Sequence, residues 1–354
     1  MAETLEEVLE PFISVETLIT APMITLALMF FTYGLYVLIF GACIRILYHR
    51  KSSPNRGFYL GGSTVLFVLA TITTGFWTLT YIRQSVLGYS AVKTQDYIPF
   101  LLYVQGDKLK TATYVVVSVT SILINITADA MLIHRCYKIW GCQKWVALPL
   151  IFVVFVQNAV GLASAIMIAI SYTDRTIASN YELLLKGNAI NDGYYVASGA
   201  VNGLITLMTA GRIWWITRQA RRLLGRGVQE KYVSIVVIIL ESGMIYPVLL
   251  IIGLIITHTT DPTKQGLVPV DFFPLVSLAA GIAPTIIIVR AGLGKAVESV
   301  NQVVPSVHFI GMDEQRGTQK SGISEIRFAQ RSLPSAGESD TLLLESLDTG
   351  RSHT

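Results

Sequence analysis

An all-α polytopic membrane protein, a bundle of seven transmembrane helices, is the fold class that three observations in this sequence predict. Of its 354 residues, 52% are hydrophobic and only 14% are charged. Seven separate apolar stretches are each long enough to cross a bilayer, and Lys and Arg gather on alternate connections between them. A soluble domain carries about 25% charged residues, since its surface must face water. The deficit, with a mean hydropathy of +0.56, excludes a typical cytosolic enzyme, a disordered scaffold and a secreted disulfide module. Three cysteines cannot build a disulfide framework.

Crossing roughly 30 Å of hydrocarbon takes about 20 mostly apolar residues in a helix, because lipid offers backbone groups no partners. Residues 22–47, 58–81, 112–136, 146–171, 193–217, 232–257 and 271–290 meet that requirement. The second and fourth stretches contain no Asp, Glu, Lys or Arg. The first, fifth and seventh hold an arginine only near their final turns, at Arg45, Arg212 and Arg290. Only the third and sixth hold an acid well inside, Asp129 and Glu241.

Ahead of the first span lies a short acidic stretch, residues 1–21, with Glu3, Glu6, Glu7, Glu10 and Glu16. It lacks the basic region of a cleavable signal, so the first span is expected to act as its own insertion signal. Orientation follows from the basic residues. Thirteen fall on the connections after the first, third and fifth spans, and seven on the opposite set. The richer set is expected in the cytosol, with the N-terminus outside and the C-terminus inside. Domains of 1–21, 22–295 and 296–354 follow, the last a Ser-rich cytosolic tail read as disordered.

Several connections carry signals. The segment 97–104, Tyr-Ile-Pro-Phe-Leu-Leu-Tyr-Val, is too short to span and reads either as a cover for the bundle mouth or as an aromatic anchor. The basic loop 218–231, with Arg218, Arg221, Arg222 and Arg226, reads as topology retention or as a docking surface for a cytosolic partner such as a G protein. Cys136 and Cys142 lie beside a span and read either as palmitoylation sites or as ordinary thiols. Glu338-Ser339-Asp340-Thr341-Leu342-Leu343 fits an acidic dileucine sorting pattern.

An ionisable group within the membrane calls for a partner or a role. Glu241 lies about 14 Å into the sixth span at 1.5 Å per residue, near the midplane. With Tyr246 and Asn202 it makes the candidate ligand-binding set. Asp129 lies near the cytosolic end of the third span, at the depth of Arg45, Arg212 and Arg290. These four predict a charge network at that mouth, either a conformational lock or a static brace. Pro247 and Pro284 each remove a helix hydrogen bond and are expected to act as hinges.

What is missing also bounds function. The last span has no lysine for a retinal Schiff base, and no histidine falls mid-bundle to bind a metal or complete a Ser/His or Cys/His unit. Glu241 and Asp129 differ by about 10 Å in expected depth, so no acid pair forms for lyase chemistry. No nucleotide-binding or nucleic-acid signature appears. Neither enzyme activity, metal nor cofactor is expected.

Three segments carry a resemblance: Asp129-Ala130-Met131-Leu132-Ile133-His134-Arg135-Cys136-Tyr137-Lys138-Ile139-Trp140, Glu241-Ser242-Gly243-Met244-Ile245-Tyr246, and Gly281 to Gly294 around Ala283-Pro284-Thr285. Over residues 20–295 the chain resembles a large group of seven-span proteins of mushroom-forming fungi, which carries no settled activity over. Its architecture is similar to that of G-protein-coupled receptors, but His134-Arg135-Cys136 stands where the rhodopsin-like class has an acidic-Arg-Tyr triplet. The seventh span also lacks Asn-Pro-x-x-Tyr. The resulting expectation is a receptor-like sensor in the plasma membrane or an endomembrane. A small ligand would bind near Glu241 and loop 218–231 would signal. The alternative is a transporter or channel using Glu241.

Overall fold

The computed structural model describes residues 14–49, 55–224, 237, 240–260 and 269–313. Among these there is no strand. A π-helical turn, Glu16–Thr20, leads into α1 (Ala21–His49), followed by α2 (Arg56–Thr94), α3 (Ile98–Gly106), α4 (Lys108–Ile139), α5 (Lys144–Ser171), α6 (Ala178–Leu224), α7 (Ile245–Thr260) and α8 (Phe273–Asp313). Residues Met1–Asn301 form one compact unit and Gln302–Thr354 a second, of which the described part is the end of α8.

Six segments are long and apolar enough to cross a membrane: Glu16–His49, Arg56–Thr94, Lys108–Ile139, Lys144–Ser171, Leu240–Thr260 and Phe273–Leu293. They coincide with six of the seven expected stretches. The remaining one, 193–217, lies inside the 47-residue α6 and is not among them. Its buried face carries Ser198, Asn202, Thr206 and Thr209, which dilutes the apolar run.

The side chains are distributed as a lipid solvent would require. Phe31, Leu38 and Phe155 are 68%, 71% and 71% exposed, while Ser63, Ser164 and Thr285 are wholly buried. That pattern is opposite to a water-soluble core, and it marks a helical membrane bundle. Hydroxyls survive within apolar helices because they bond back to the preceding turn, as Thr71 does to Phe67 O, Thr209 to Ile205 O and Thr285 to Gly281 O. In its most apolar window α8 is 72% buried, against 17% for the first helix. α8 is therefore central and α1 peripheral. α4 packs on α2, α5 and α6.

Several boundaries differ from expectation. Helix begins at Glu16 rather than at residue 22, with that acid in its first turn, where the helix dipole favours it. α2 runs on to Thr94, so most of the expected loop 82–111 is helical. α8 continues to Asp313, past the expected boundary at 295. Residues 314–354, with the dileucine pattern, lie outside the described residues, as do 1–13. Cys136 is buried and Cys142 exposed, so only Cys142 offers a thiol for acylation.

Local sequence explains the joints. Asp107 caps α4 by accepting from Leu109 N at 3.0 Å. α3 begins with Pro99 in its first turn, where a missing N–H costs nothing. Gly141 (φ +70°) and Cys142 (φ +62°) turn the chain between α4 and α5. Phe100 and Tyr103 of α3 pack with Leu18 and Ala91, while Ile98 and Leu102 are exposed. Arg175 N donates to Gln105 O at 2.9 Å, tying the end of α3 to the α5–α6 connection. A Cβ at Gly106 would fall 2.7 Å from Thr173 O. Since that atom is backbone, Gly106→Ala is expected to lower stability by about 1 kcal/mol, read as a shift in thermal unfolding of the detergent-solubilised protein.

Candidate functional site

A cavity of about 230 Å³ opens among α2, α4, α5, α6, α7 and α8. Rings supply much of its wall: Trp77 from α2, Tyr114 from α4, Tyr172 just beyond α5, Tyr194 and Tyr195 from α6, and Tyr246 from α7. Phe273 packs at a tilt against Tyr195, with ring centres 4.9 Å apart. Between the rings stand Ser118, Ser121 and Asn125 of α4, Asn188 and Asn191 of α6, and Ser277 of α8. No lining residue is charged.

Helical spacing brings the polar groups together. Tyr114, Ser118, Ser121, Asn125 and Asp129 recur at three- and four-residue intervals, so they share one face of α4. Ser198, Asn202, Thr206 and Thr209 do the same on α6. Asn125 Nδ2 donates to the Tyr194 hydroxyl at 2.7 Å, and the hydroxyls of Ser198 and Tyr246 bond at 2.8 Å. Ser121 and Ser277 meet at 3.3 Å. Gly161 lets the Tyr194 ring lie against α5, since a Cβ there would fall 2.7 Å from Cε2 of the ring. Such a chamber can hold a ring and hydrogen-bond its substituents. Among the described residues no His, Cys, Asp or Glu cluster could hold a metal ion.

Below the cavity the polar face of α4 continues to Asp129, which is 3% exposed. Asn202 of α6 is its hydrogen-bonding neighbour, while Asp129 Oδ2 and Asn202 Oδ1 have no partner. Gln157 of α5 is also buried, with neither amide atom bonded.

The sequence-predicted residues divide around this arrangement. Tyr246 lines the cavity, and Asn202 joins Asp129 beneath it. Glu241 reaches neither. It forms an ion pair with Arg290 at 2.5 Å, its side chain 63% exposed. That contact sets Glu241 beside the arginine that closes the seventh predicted span. The expected four-residue network is not formed either. Among the described residues the ion pairs leave Asp129 out. Arg45 is exposed. Arg212 sits over the rings of Trp140 and Trp215, 5.1 and 4.6 Å from their centres. Each arginine finds a ring face, an acid or solvent at its own helix end before it can reach an acid buried against α6.

Of the two hinge prolines, Pro247 follows a break. Helical turns at 240–243 and α7 are separated by a turn at Met244. Pro284 leaves α8 continuous. Arg218 packs on Trp214. Arg221 and Arg222 lie in the last turn of α6, their side chains outside the described residues, and Arg226 lies wholly outside them.

At the opposite end of the cavity from Asp129, a second group of charges surrounds the aromatic wall. Tyr172 meets Tyr114 edge-on at 4.9 Å. Arg175 lies 4.3 Å from the centre of the Tyr172 ring. Lys110 lies 5.8 Å from the same ring and 4.6 Å from that of Tyr103. Arg83 is ion-paired with Asp107. Asp174 accepts from the N–H and hydroxyl of Thr176, which hold its carboxyl below the usual range. The sequence counts Arg83, Lys110 and Arg175 only among the seven basic residues of the outer connections and does not bring them together.

No family model matches the chain, no curated protein matches it, and no solved structure matches its fold.

Proposed function

We propose that this protein is a receptor-like sensor whose small ligand occupies the aromatic cavity rather than the neighbourhood of Glu241. The observation that carries the reading is an uncharged, hydrogen-bonding chamber lined from six helices. Beneath it the polar face of α4 runs on to Asp129, beside Asn202. Seven crossings, with α6 as the fifth, and the asymmetry of Lys and Arg put the cavity's Lys110 end outside and the Glu241–Arg290 pair in the cytosol. In this reading a ligand moves α4, α6 and α7 against one another. The break at Met244 before Pro247 is where α7 yields, and the Glu241–Arg290 pair restrains its inner end. The basic loop 218–231 presents the change to a cytosolic partner such as a G protein, in the plasma membrane or an endomembrane.

A cell-based second-messenger reporter tests this. Glu241→Gln frees Arg290 and is expected to raise basal output severalfold, and Arg221→Ala with Arg222→Ala to lower it. Unchanged output from both, together with solute or ion flux through reconstituted liposomes, would overturn the sensor in favour of a transporter or channel.

A further inference from the structure

We propose that the ligand is a small organic anion, a carboxylate on a ring-sized body, and that Lys110 and Arg175 receive the carboxylate while the ring enters the cavity. This names the ligand class of the site proposed above and rests on that reading.

Three cations, Arg83, Lys110 and Arg175, lie near Tyr172 with only two acids, Asp107 and Asp174, and both acids have partners other than Lys110 and Arg175. Asp107 Oδ2 pairs with Arg83, and its Oδ1 accepts from Leu109 N. Asp174 is turned onto Thr176. Across the cavity, Asp271 accepts from the Tyr81 hydroxyl at 2.6 Å and from Phe273 N at 2.9 Å. Lys110 is left with the ring faces of Tyr103 and Tyr172, and Arg175 with the ring and hydroxyl of the neutral Tyr172; both are only partly exposed. A ring face attracts a cation far less than a carboxylate does. Two part-buried cations at one end of an uncharged chamber therefore favour an anion over a neutral or cationic ligand.

Shape sets the rest. Tyr172 lines the cavity and also underlies both cations, so a group bound to Lys110 and Arg175 lies directly beside the chamber. The cavity, about 230 Å³, equals the share of roughly eight waters at about 30 Å³ each. That admits one ring with a short substituent. Below, the hydroxyls and amides around Asn125 and Ser121 select substituents by hydrogen bonding.

Three probes of one shape and different charge test the assignment: benzoate, benzamide and benzamidine. Each is titrated against the purified full chain in nanodiscs, with thermal unfolding as the readout. Benzoate is expected to stabilise most, benzamide less and benzamidine least. Lys110→Gln with Arg175→Gln is expected to weaken benzoate about tenfold or more and leave benzamide unchanged, while Lys110→Arg keeps the preference. Equal stabilisation by benzoate and benzamide, or a lead for benzamidine, overturns the anion assignment and leaves the cavity reading standing. Failure of all three to shift unfolding of the wild-type chain overturns the cavity reading as well. The wild-type ranking decides the matter even if the double variant does not fold.

Discussion

Gly243→Leu is expected to cost about 3 kcal/mol or more and to separate α6 from the start of the sixth membrane segment. A Cβ built on Gly243 falls 2.5 Å from Thr206 Cγ2 and 2.7 Å from Thr206 Oγ1, closer than any real side-chain contact. Thr206 is 2% exposed, so it has little room to retreat. Small residues at such crossings let helix backbones approach in membranes, where dispersion rather than a hydrophobic drive holds helices together. Overfilling the contact must then push the helices apart, and overpacking of this kind typically costs about 1–3 kcal/mol for a few added methylenes. The clash has an identifiable owner. Thr206→Ala removes both atoms nearest the new Cβ, leaving only Thr206 Cβ at 3.2 Å. A double-mutant cycle of Gly243→Ala with Thr206→Ala should show strong positive coupling in thermal unfolding. Additive losses would show that the crossing is not set by this pair.

The helices were largely legible from hydropathy alone, because a span must be apolar wherever it meets lipid and its length is set by the bilayer. The site was legible only at its edges. Tyr246 and Asn202 were found, but as neighbours of Glu241, whose charge drew attention away from the cavity. Counting from residue 232 places Glu241 nine residues in, but its carboxylate meets Arg290, apart from the cavity lining. Asn125, Tyr194 and Ser121 are neutral and sit in apolar surroundings, so no charge or composition signal marks them. Their clue was the three- and four-residue recurrence from Tyr114 through Asp129 on one face of α4, readable in the sequence. What it could not show was that α6 presents a matching face at the same height. Lys110 and Arg175 were counted only as outer basic residues. Their place over Tyr172 depends on how two connections far apart in sequence fold back together.

Asp129→Asn is expected to stabilise the protein by about 1–2 kcal/mol, against the usual trend for a buried substitution. An acid well inside a membrane helix costs about 2.5–3.5 kcal/mol on insertion scales, and a partner must offset that. Here the partner is a single amide. Asn202 is the hydrogen-bonding neighbour, Asp129 Oδ2 has no bond, and Arg45, Arg212 and Arg290 are occupied elsewhere or exposed. An asparagine keeps the shape, can exchange hydrogen bonds with Asn202, and carries no charge to desolvate. Asp129→Leu makes the opposite case. It strands the Asn202 amide in a buried setting and is expected to cost about 1–3 kcal/mol. The pair of variants separates two accounts of this acid. If it is retained for function at the expense of stability, Asp129→Asn unfolds at higher temperature and alters basal reporter output. If instead Asp129→Asn unfolds at lower temperature, the carboxyl is holding a contact that asparagine cannot replace, and Asp129 is a structural tie between α4 and α6.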